Sequence, residues 1–386
     1  MRILLLNAGS SSLKCSLVES ADRNVLARAT ADWAGPVTRY DRIGVRGDHV
    51  RTDVAFRSHG DAVRHMLDDL GITSRARLAA IGHRLVHGGD LSHAVRITPE
   101  VRARIAALSE LAPLHNPPGL ETLDAAEARL PDVPHIATFD TAFHATLPAA
   151  ARTYPLPHAW AEDWKIRRYG FHGLSHSYSA GRAAAMLSTQ DLRLVICHLG
   201  AGCSASAVLA GRSIDTTMGF TPLDGLMMAT RSGGLDPGIL THVQVHHGVT
   251  ARELDEVLNH HCGLLGVSGL SGDMREVLAA RRADHPRARL AIDVYVHRVR
   301  QAIGAFAVTL GGVDAIVFTG GVGENSPEIR HAVCRDLEFL GIELDSDANA
   351  SCRPDADVAR CGHVLVIAAR EDLAMLSEVI RVIAKE

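Results

Sequence analysis

The sequence lacks the features typical of membrane, secreted and nucleic-acid-binding proteins. No stretch approaches the about 18 consecutive apolar residues that cross a bilayer, and the opening MRILLL is too short for the core of a signal peptide. The seven cysteines form no CxxC pair, and their odd number favours reduced thiols over a disulfide framework. The net charge is −4 and the basic residues are scattered, which argues against a nucleic-acid or membrane partner. We therefore expect a cytoplasmic protein whose ligands are small molecules.

Three common ligand-binding motifs are also missing. The stretch ILLLNAGSSSLKC, residues 3–15, contains a small-residue turn but does not match the phosphate-binding pattern GxxxxGK[ST]. The 22 histidines include adjacent pairs such as His246/His247, yet no HExxH or Cys/His array is present, so we favour solvated helix ends over a transition-metal site. The segment GAGCSA, residues 200–205, matches GxGxxG/A, but the residues after it alternate like a strand instead of opening a helix. This argues against a dinucleotide-binding fold.

Length and periodicity predict an α/β protein of two domains. The chain has 386 residues, of which 47% are hydrophobic, so it is longer than one core usually serves. Buried-strand patterns alternate with helical patterns, and the sequence after residue 150 is predicted to be rich in loops. We predict an N-terminal domain, residues 1–150, joined by the C-terminal helix 371–386, and a second domain, residues 151–370.

Several elements can be predicted individually from their patterns and capping residues. The opening hairpin is followed by a polar segment to about residue 58, in which no element is singled out. Helices are predicted over about 99–110 and 117–130, each opened by proline, and a long amphipathic helix over about 286–311. The run LAAIGHRLV is predicted to be a buried strand.

The second half repeats the plan of the first. The stretch RLVICHLGAGCSASAVLAG is a strand, a small-residue turn and an alternating strand, and it superposes on the opening hairpin with an offset of 193 residues. This offset aligns Ser11 with Ser204 and Lys14 with Ala207, so the positive charge belongs to the first copy only. We interpret the repeat as two duplicated α/β domains.

Five stretches place Asp, Arg, His or Gly at or just beyond an apolar strand, the edge at which ligands bind in α/β sheets. They are NAGSSSLK (7–14), HRLVHGG (83–89), FDTAFH (139–144), YGFHGLSH (169–176), and the block from HLGAGCS (198–204) to DTTMGFTPLDGLMMATRSGGLDPG (215–238). Turn chemistry explains any one of them equally well, but the five together predict a site.

Two arginines and two carboxylates are the strongest candidates for that site. Arg84 and Arg231 suit the binding of two anions that repel each other, because arginine binds carboxylates and phosphates through two parallel hydrogen bonds. The alternative is a pair of structural salt bridges with Asp140 and Asp236. Asp140 and Glu371 follow predicted strands and are typical Mg²⁺ ligands, although Glu371 is equally suited to complement a helix dipole.

A further candidate is the segment AIVFTGGVGENSPEIR. It predicts a buried strand, a tight Gly-Gly turn and a helix opened by Glu324-Asn325-Ser326-Pro327. This order presents backbone N–H groups and the positive end of a helix to an anion or a nucleotide.

The motifs, taken in order, carry a family resemblance. NAGSSSLK, HRLVHGG, APLHNPPG, FDTAFH, YGFHGLSH, MGFTPLDGLMMATRSG and FTGGVGENS extend over nearly the whole chain, which resembles the acetate kinases (the acetate/propionate kinase family). That family shares the fold class of sugar kinases, actin and the heat-shock chaperone ATPases. The resemblance implies two duplicated ribonuclease H-like α/β domains around a nucleotide cleft. It also implies the reaction ATP + acetate ⇌ ADP + acetyl phosphate by direct in-line displacement, with Mg²⁺ (Mn²⁺ able to replace it), in a homodimer.

The resemblance also implies roles for individual residues. Asp140, Arg84, His172 and Arg231 would be catalytic, with His172 contacting the transferring phosphoryl group and the two arginines binding anions. Asn7 and Glu371 would hold the metal, with Asp140 beside them as an organiser of the catalytic centre. The expected nucleotide-side residues are Ser12, Lys14, His198, Gly200, Ala201, Gly202, Gly320, Gly321, Val322, Gly323, Glu324 and Asn325. The acetate-side residues are Arg84 and a methyl pocket formed by Val86, Leu114, Phe171 and Pro222.

The physical chemistry of the reaction agrees with this set. A carboxylate nucleophile has an ordinary pKa of about 4, so it is ionised at pH 7 and needs no general base. It needs relief from repulsion by the polyphosphate and in-line positioning, which arginine, histidine and Mg²⁺ ligands supply.

One departure keeps alternatives open. The family usually has Asn where this chain has Ala201, which removes an amide near the nucleotide phosphates. The preferred phosphoryl donor therefore stays open among ATP, GTP and pyrophosphate, and a catalytically weakened nucleotide-binding relative is an alternative. Val86 favours acetate over propionate, but one methylene is worth only about 1–3 kcal/mol in such a pocket, so propionate kinase activity is a second alternative.

Overall fold

The computed structural model describes residues 1–9, 12–33, 37–73, 77–112 and 116–385. The chain divides into two compact units, and each is described by itself. The first unit comprises Met1–Ala145 with Arg370–Glu386, and the second comprises Thr146–Ala369. In the part of the chain that the structure describes, no helix is both long and apolar enough to cross a membrane.

The two units contain alternating strands and helices. In chain order the strands are β1 (Arg2–Ala8), β2 (Ser12–Glu19), β3 (Asn24–Asp32), β4 (Arg39–Ile43), β5 (His49–Asp53), β6 (Leu78–Leu85), β7 (Val95–Arg96), β8 (His135–Phe139), β9 (Arg193–Leu199), β10 (Cys203–Leu209), β11 (Arg212–Thr216), β12 (Ala315–Thr319), β13 (Glu343–Leu344), β14 (Ala356–Asp357), β15 (Ala359–Cys361) and β16 (Val364–Val366).

In chain order the α-helices are α1 (His59–Asp69), α2 (Pro99–Ala107), α3 (Asn116–Arg129), α4 (Ala149–Arg152), α5 (His158–Asp163), α6 (Gly173–Met186), α7 (Pro237–His247), α8 (Ala251–His260), α9 (Gly263–Ser268), α10 (Met274–Arg282), α11 (Pro286–Leu310), α12 (Gly320–Asn325), α13 (Pro327–Cys334), α14 (Ser346–Ala350) and α15 (Glu371–Ile383).

The first unit is built on one mixed sheet in the order β5-β4-β3-β2-β1-β6-β8-β7 over the described residues. Strands β1, β6 and β8 run parallel and are almost entirely buried, as expected of parallel strands covered on both faces. On one face, Met66 and Leu67 of α1 pack into the same core as Leu4 of β1. On the other, α15 lies so close to β6 that a Cβ on Gly82 would come within 2.7 Å of Val379 Cγ2.

The second unit repeats this arrangement. Its main sheet has the order β11-β10-β9-β12-β16-β14, again with antiparallel strands at one side and parallel ones beside them. The long helix α11 buries Ile292, Tyr295 and Ile303 among its apolar residues, and the Tyr295 hydroxyl lies 3.3 Å from Cys203 Sγ of β10. The corresponding strand order of the two sheets agrees with the duplication that the sequence predicts.

The register of the two hairpins corrects the predicted alignment between them. Ala8 pairs with Leu13 to close the first hairpin, and Leu199 pairs with Cys203 to close the second. Four residues, 9–12, separate the first pair, and three residues, 200–202, separate the second, so a constant offset of 193 does not hold. At the next rung Asn7 faces Lys14, and His198 faces Ser204. The structural counterpart of Lys14 is therefore Ser204, not Ala207.

Predicted helices agree closely with the structure because their caps are strong. Thr98 accepts a hydrogen bond from the Val101 N–H in front of Pro99, and His285 accepts one from Ala288 in front of Pro286. The helix predicted to end at 110 ends as α2 at Ala107 and continues as a 3₁₀ turn over 108–110. The polar segment before residue 58 instead contains β3, β4 and β5, which broaden the first sheet.

Candidate active site

A charged cluster gathers at the carboxyl ends of the central strands of the first unit. Arg84 Nε and Nη2 donate to Asp140 Oδ1 at 3.1 Å and Oδ2 at 2.6 Å, a two-pronged ion pair. Arg84 Nη1 donates to Asn7 Oδ1 at 2.9 Å and lies 3.7 Å from Glu371 Oε2. Asn7 Nδ2 in turn donates to Glu371 Oε2 at 2.9 Å. Four predicted site residues are thus joined in one network.

The fold explains how these four side chains meet. Asn7 and Arg84 are register partners in the parallel strands β1 and β6, Asp140 follows β8, and Glu371 opens α15. Asp140 is only 1% exposed, so its charge depends on a close cation. Burial acts to lower the pKa of Arg84, but the carboxylates of Asp140 and Glu371 outweigh it and the pKa is raised. The guanidinium is therefore a permanent charge.

The donor atoms of this cluster fit a Mg²⁺ ion. Among the described residues, no three His, Cys, Asp or Glu side chains are grouped so as to hold a metal ion by themselves. Glu371, Asp140 and Asn7 instead offer a few oxygen atoms, and Mg²⁺ commonly takes one or two carboxylates with phosphate oxygens and water. The cluster suits an ion that arrives with a polyphosphate.

The first hairpin turn lies beside Asn7. The Gly9 N–H donates to the Ser12 carbonyl at 2.8 Å, and a ring N–H of His59 donates to the Gly9 carbonyl at 2.9 Å. Lys14 is exposed on β2. His59, the first residue of α1, therefore contacts this hairpin turn. The sequence did not indicate this contact.

The turn after β6 is held by buried polar groups. The His87 N–H donates to Asn116 Oδ1 at 3.0 Å, while Asn116 Nδ2 donates back to the His87 carbonyl at 3.1 Å. The Gly88 N–H donates to Thr141 Oγ1 at 3.0 Å. These bonds fix Val86, which is 4% exposed. Leu114, assigned with Val86 to the methyl pocket, lies outside the described residues.

In the second unit, histidine and serine side chains form a hydrogen-bonded set. Ser204 Oγ lies 2.9 Å from His172 Nδ1 and 2.7 Å from His176 Nε2. Ser175 Oγ lies 2.8 Å from His198 Nδ1, and the rings of His172 and His198 are 4.4 Å apart at their centroids. His172 precedes α6 with a left-handed backbone, φ 58°, and follows Phe171, which is 1% exposed.

Arg231 occupies a different environment from Arg84. Its Nη1 donates to the Pro222 carbonyl at 3.1 Å and contacts Met228 Sδ at 3.7 Å. Burial lowers the pKa of Arg231, and no ion pair to it is formed within the part of the chain that the structure describes. The predicted alternative, a salt bridge with Asp236, is not found there, because Asp236 caps α7 by accepting from the Gly238 N–H. The corresponding alternative for Arg84, a salt bridge with Asp140, does form.

Two glycine-rich turns meet at the carboxyl edge of the second sheet. A Cβ on Gly320, which has φ +79°, would lie 2.8 Å from the Leu199 carbonyl oxygen, so only glycine allows this approach of β12 to the turn after β9. A Cβ on Gly200 would lie 3.9 Å from the Gly321 nitrogen. The two turns therefore lie close together, with Ala201 exposed between Gly200 and Gly202.

Buried polar contacts hold the short helix α12, which begins at Gly320. Arg330, 1% exposed, donates from Nη1 to the carbonyls of Gly323 and Glu324 at 2.9 and 2.8 Å. Glu324 Oε1 accepts from the N–H groups of Gly320 and Ala369 at 3.1 and 2.9 Å. Val322 is half-buried and Asn325 exposed. Glu324 therefore closes the turn on itself and ties it to the end of the second unit.

The candidate stretches contain Ser175, His176, Ser204 and Arg330, but the sequence analysis assigned none of these residues a role. The spacing of His172 and His176 by four residues, one turn of a helix, was a usable signal. Ser204 has no such signal, because its partners come from α6 and are distant in sequence. In the sequence Arg330 resembles any charged residue on the polar side of an amphipathic helix, so no signal marks it as buried.

The comparisons with known proteins agree with this geometry. Residues 2–377 match the Acetokinase family. An acetate kinase from a Nostoc species is 46% identical over 98% of this chain and 98% of its own length. The crystal structure of Porphyromonas gingivalis acetate kinase superposes with a TM-score of 0.90 at 38% identity, covering 99% of each chain.

A propionate kinase from Francisella tularensis is similarly close, with a TM-score of 0.91 at 36% identity over 98% of each chain. The predicted fold class, two duplicated α/β domains of the actin and hexokinase type, is confirmed by these structural matches. The match of the family over nearly the whole chain leaves no large region unexplained. The chain belongs to the acetokinase family.

Proposed function

We propose that this chain transfers the γ-phosphoryl group of ATP to acetate, reversibly and in line, giving acetyl phosphate and ADP with the help of Mg²⁺. That it is an acetate kinase, a phosphotransferase with a carboxyl acceptor, follows from its family and from relatives of similar length. The observation that carries the proposal is Arg231, a largely buried guanidinium without an ion-pair partner among the described residues. Such a cation is suited to an anionic ligand.

The roles of the charged residues follow from what a carboxylate acceptor needs. Acetate is already ionised at pH 7, so no residue has to remove a proton from it. Asp140 is held by two hydrogen bonds from Arg84, which makes it an organiser of that guanidinium and not a proton acceptor. Arg231 and Arg84 would lower the repulsion between acetate and the phosphates, and His172 would donate to the transferring phosphoryl group.

Mg²⁺, which Mn²⁺ is able to replace, would be held by Glu371 and Asn7, with Asp140 beside them. Their oxygen-only donor set supports this assignment. When bound, the ion supplies positive charge against the phosphate oxygens. Within the protein, the Asn7 amide orients the Glu371 carboxylate for this purpose, since it donates to Oε2 at 2.9 Å.

The nucleotide would lie against the glycine-rich turns of the second unit. The backbone N–H groups of Gly202 and Gly321 would bind its phosphates, since those of Gly200 and Gly320 already donate to the Gly202 carbonyl and to Glu324 Oε1. Gly200, Gly320, Val322, Gly323, Glu324, Asn325 and His198 would then line the nucleotide side. Ser12 and Lys14 of the first hairpin would contribute a hydroxyl and a charge. Ala201 offers no amide, so the choice among ATP, GTP and pyrophosphate depends on the backbone of this turn.

Acid selection would rest on Val86, Leu114, Phe171 and Pro222. Val86 of the first unit and Phe171 of the second are apolar and almost fully buried. We expect propionate to be used with lower kcat/KM, since one methylene changes binding by about 1–3 kcal/mol. Measuring kcat/KM for both acids decides between an acetate kinase and a propionate kinase.

We also infer that the two compact units are the two domains and that the protein is a cytoplasmic homodimer. Helices α7 and α8 bury none of their residues within one chain. They expose Ile239 by 47%, Val245 by 75% and Val257 by 42%. A second copy would cover these side chains, and sedimentation of the purified protein would show a single-chain mass if this inference is wrong.

The central test is trapping of the acyl phosphate. Purified protein, incubated with ATP, Mg²⁺ and acetate, propionate or butyrate in the presence of hydroxylamine, should yield an acyl hydroxamate. No hydroxamate with any of the three acids would refute the proposal. ATP binding seen by calorimetry, without any hydroxamate, would instead identify the catalytically weakened relative that Ala201 suggests.

A further inference from the structure

The hydroxyl of Ser204 is shared by two histidine rings in the second unit. It lies 2.9 Å from Nδ1 of His172 and 2.7 Å from Nε2 of His176, both within hydrogen-bond distance. Ser204 and His176 are fully buried, so water does not compete for these bonds. Ser204 is fixed by the ladder between β10 and β9, His176 lies in the first turn of α6, and His172 directly precedes that helix.

A count of protons limits what this arrangement can be. A serine hydroxyl donates one hydrogen bond, and a neutral imidazole has one N–H donor and one acceptor nitrogen. If Ser204 donates to His172 Nδ1, His176 donates from Nε2 and the proton of His172 is on Nε2. If Ser204 donates to His176, or to neither ring, His172 carries its proton on Nδ1 and Nε2 is an acceptor.

The surroundings of His172 Nε2 favour the first arrangement for an anion-binding site. A Cβ built on Gly202 would lie 3.4 Å from His172 Nε2 and 3.8 Å from Arg231 Nη1, so both nitrogens flank the same small space at the hairpin turn. An acceptor nitrogen there would repel an anion bound by Arg231, whereas an N–H would bind it. A second full charge on His172 is disfavoured by the neighbouring guanidinium.

We propose that Ser204 and His176 are positioning residues that hold neutral His172 in the Nε2–H tautomer, so that Nε2 donates to the phosphoryl group that Arg231 also contacts. The chain of donors runs from His176 Nε2–H to Ser204 Oγ and from the Ser204 hydroxyl to His172 Nδ1. The choice of ligand rests on the proposed function, but the tautomer itself is a property of the ligand-free protein.

The test is the tautomer of His172, measured by two-bond ¹H–¹⁵N correlation NMR on the full-length protein labelled in histidine. The chain has 22 histidines, so the His172 signals are assigned by their loss in His172→Gln. At about pH 8, where an ordinary imidazole is neutral, we expect an Nε2–H pattern for His172 in the wild-type protein and a shift toward Nδ1–H in Ser204→Ala. Nδ1–H or charged His172 in the wild type, or an unchanged tautomer in Ser204→Ala, would overturn the proposal.

Ser206 provides a matched control. It lies two residues along β10, is also fully buried, and its hydroxyl donates to Thr216 Oγ1 at 2.9 Å. Ser206→Ala removes a buried hydroxyl of the same strand without touching a histidine, so it should leave the His172 signals unchanged. A change of His172 tautomer in Ser206→Ala as large as in Ser204→Ala would mean that strand packing, not the hydroxyl, sets the tautomer.

Kinetics supply a second readout. Ser204→Ala should lower kcat for acyl phosphate formation by about ten- to a hundredfold with little change in KM for acetate, because the lost bond acts on the transferring group. A kcat within about twofold of the wild type would contradict the positioning role. If the wild type forms no acyl phosphate, the proposed function fails, whereas the tautomer result still decides the role of Ser204.

Discussion

The two units carry different side-chain chemistry on the same framework. At the rung next to the closing pair of each hairpin, the first unit has Asn7 opposite Lys14 and the second has His198 opposite Ser204. Ionic groups surround Asn7, whereas imidazole and hydroxyl groups surround Ser204. Duplication therefore preserved the strand order and the hairpins while the side chains at the sheet edge diverged.

The same contrast separates the two arginines. Arg84 is balanced by Asp140 and has Glu371 at 3.7 Å, so much of its charge is already compensated inside the protein. Among the described residues Arg231 forms no ion pair, and its Nη1 donates to a backbone carbonyl and contacts a thioether. The difference supports our proposal that Arg84 mainly holds a carboxylate framework in place and that Arg231 is the cation that binds a ligand.

The largest expected effect is on catalysis, from Arg231→Ala. We expect acyl phosphate formation to fall by about a thousandfold or more, as for other arginines that stabilise phosphoryl transfer. The urea midpoint should stay the same or rise, because removing a buried cation without an acidic partner relieves desolvation. Steady-state kinetics and urea unfolding measure the two quantities.

Arg212→Ala is the control for this prediction, since Arg212 is an exposed arginine of the same unit. It should change neither activity nor stability. Near-normal turnover in Arg231→Ala would show that the anion-binding role is misassigned and would remove the contrast between the two arginines.

The next effect is on stability, from Arg84→Ala. This change leaves Asp140 buried without its cation, which typically costs about 3–5 kcal/mol. We expect a clear fall in the urea midpoint, together with loss of activity. The double variant Arg84→Met/Asp140→Leu should regain most of the stability but none of the activity. If Arg84→Ala unfolds at the wild-type midpoint, the ion pair contributes nothing to the fold.

A smaller effect concerns the pH dependence of stability in the first unit. His83 Nε2 lies 2.8 Å from His135 Nδ1, and His135 Nε2–H donates to the Leu130 carbonyl at 3.2 Å, so the neutral pair is ordered with His83 as donor to His135. Burial lowers the pKa of both imidazoles, that of His83 strongly. Below an ordinary pKa of about 6.5 the unfolded chain binds protons that the folded one does not.

The free energy of unfolding should therefore fall as the pH drops below about 6.5, by up to about 1.4 kcal/mol per pH unit for each proton. Urea unfolding between about pH 7 and pH 5 measures the slope, and the double variant His83→Phe/His135→Leu should flatten it. An equal slope in that variant would assign the acid sensitivity to other groups. In the second unit, His176 provides a contrast to the His83–His135 pair, because its ring is bonded to the Ser204 hydroxyl and not to a second imidazole.

The sequence predicted the duplicated fold, several elements and the four residues of the network around Arg84, for physical reasons that can be stated. Strand β6 and helix α11 are long and strongly patterned. Thr98 caps α2, and Pro99 and Pro286 are the first residues of their helices, so local rules suffice. Strand β3 was missed because it buries only Ala27, Ala29 and Ala31, whose small side chains give a weak alternation. The Ser204 network was missed because its partners lie in another element.

The error in the predicted offset has the same origin. Sequence matching aligned the Ser residues of the two turns, whereas the ladder aligns the closing pairs, and turns of different length shift one relative to the other. Only the register shows that Lys14 and Ser204 occupy equivalent positions. A hydroxyl that orients an imidazole thus stands in one unit where a charge stands in the other.

The smallest expected effect tests the exposed turn of the second unit, by Ala201→Asn. The new amide would add a neutral donor near the candidate phosphate site, worth roughly 0.5–1.5 kcal/mol, while the hydrogen bond from the Ala229 N–H to the carbonyl of residue 201 is retained. We expect KM for ATP to fall by about two- to tenfold with kcat little changed. Ala201→Gln, whose amide is one methylene longer, is the matched control and should give less. If Ala201→Asn leaves KM for ATP unchanged but alters KM for acetate, this turn faces the acceptor and not the nucleotide. The contrast between the charged first hairpin and the neutral second hairpin would then need a different ligand as its explanation.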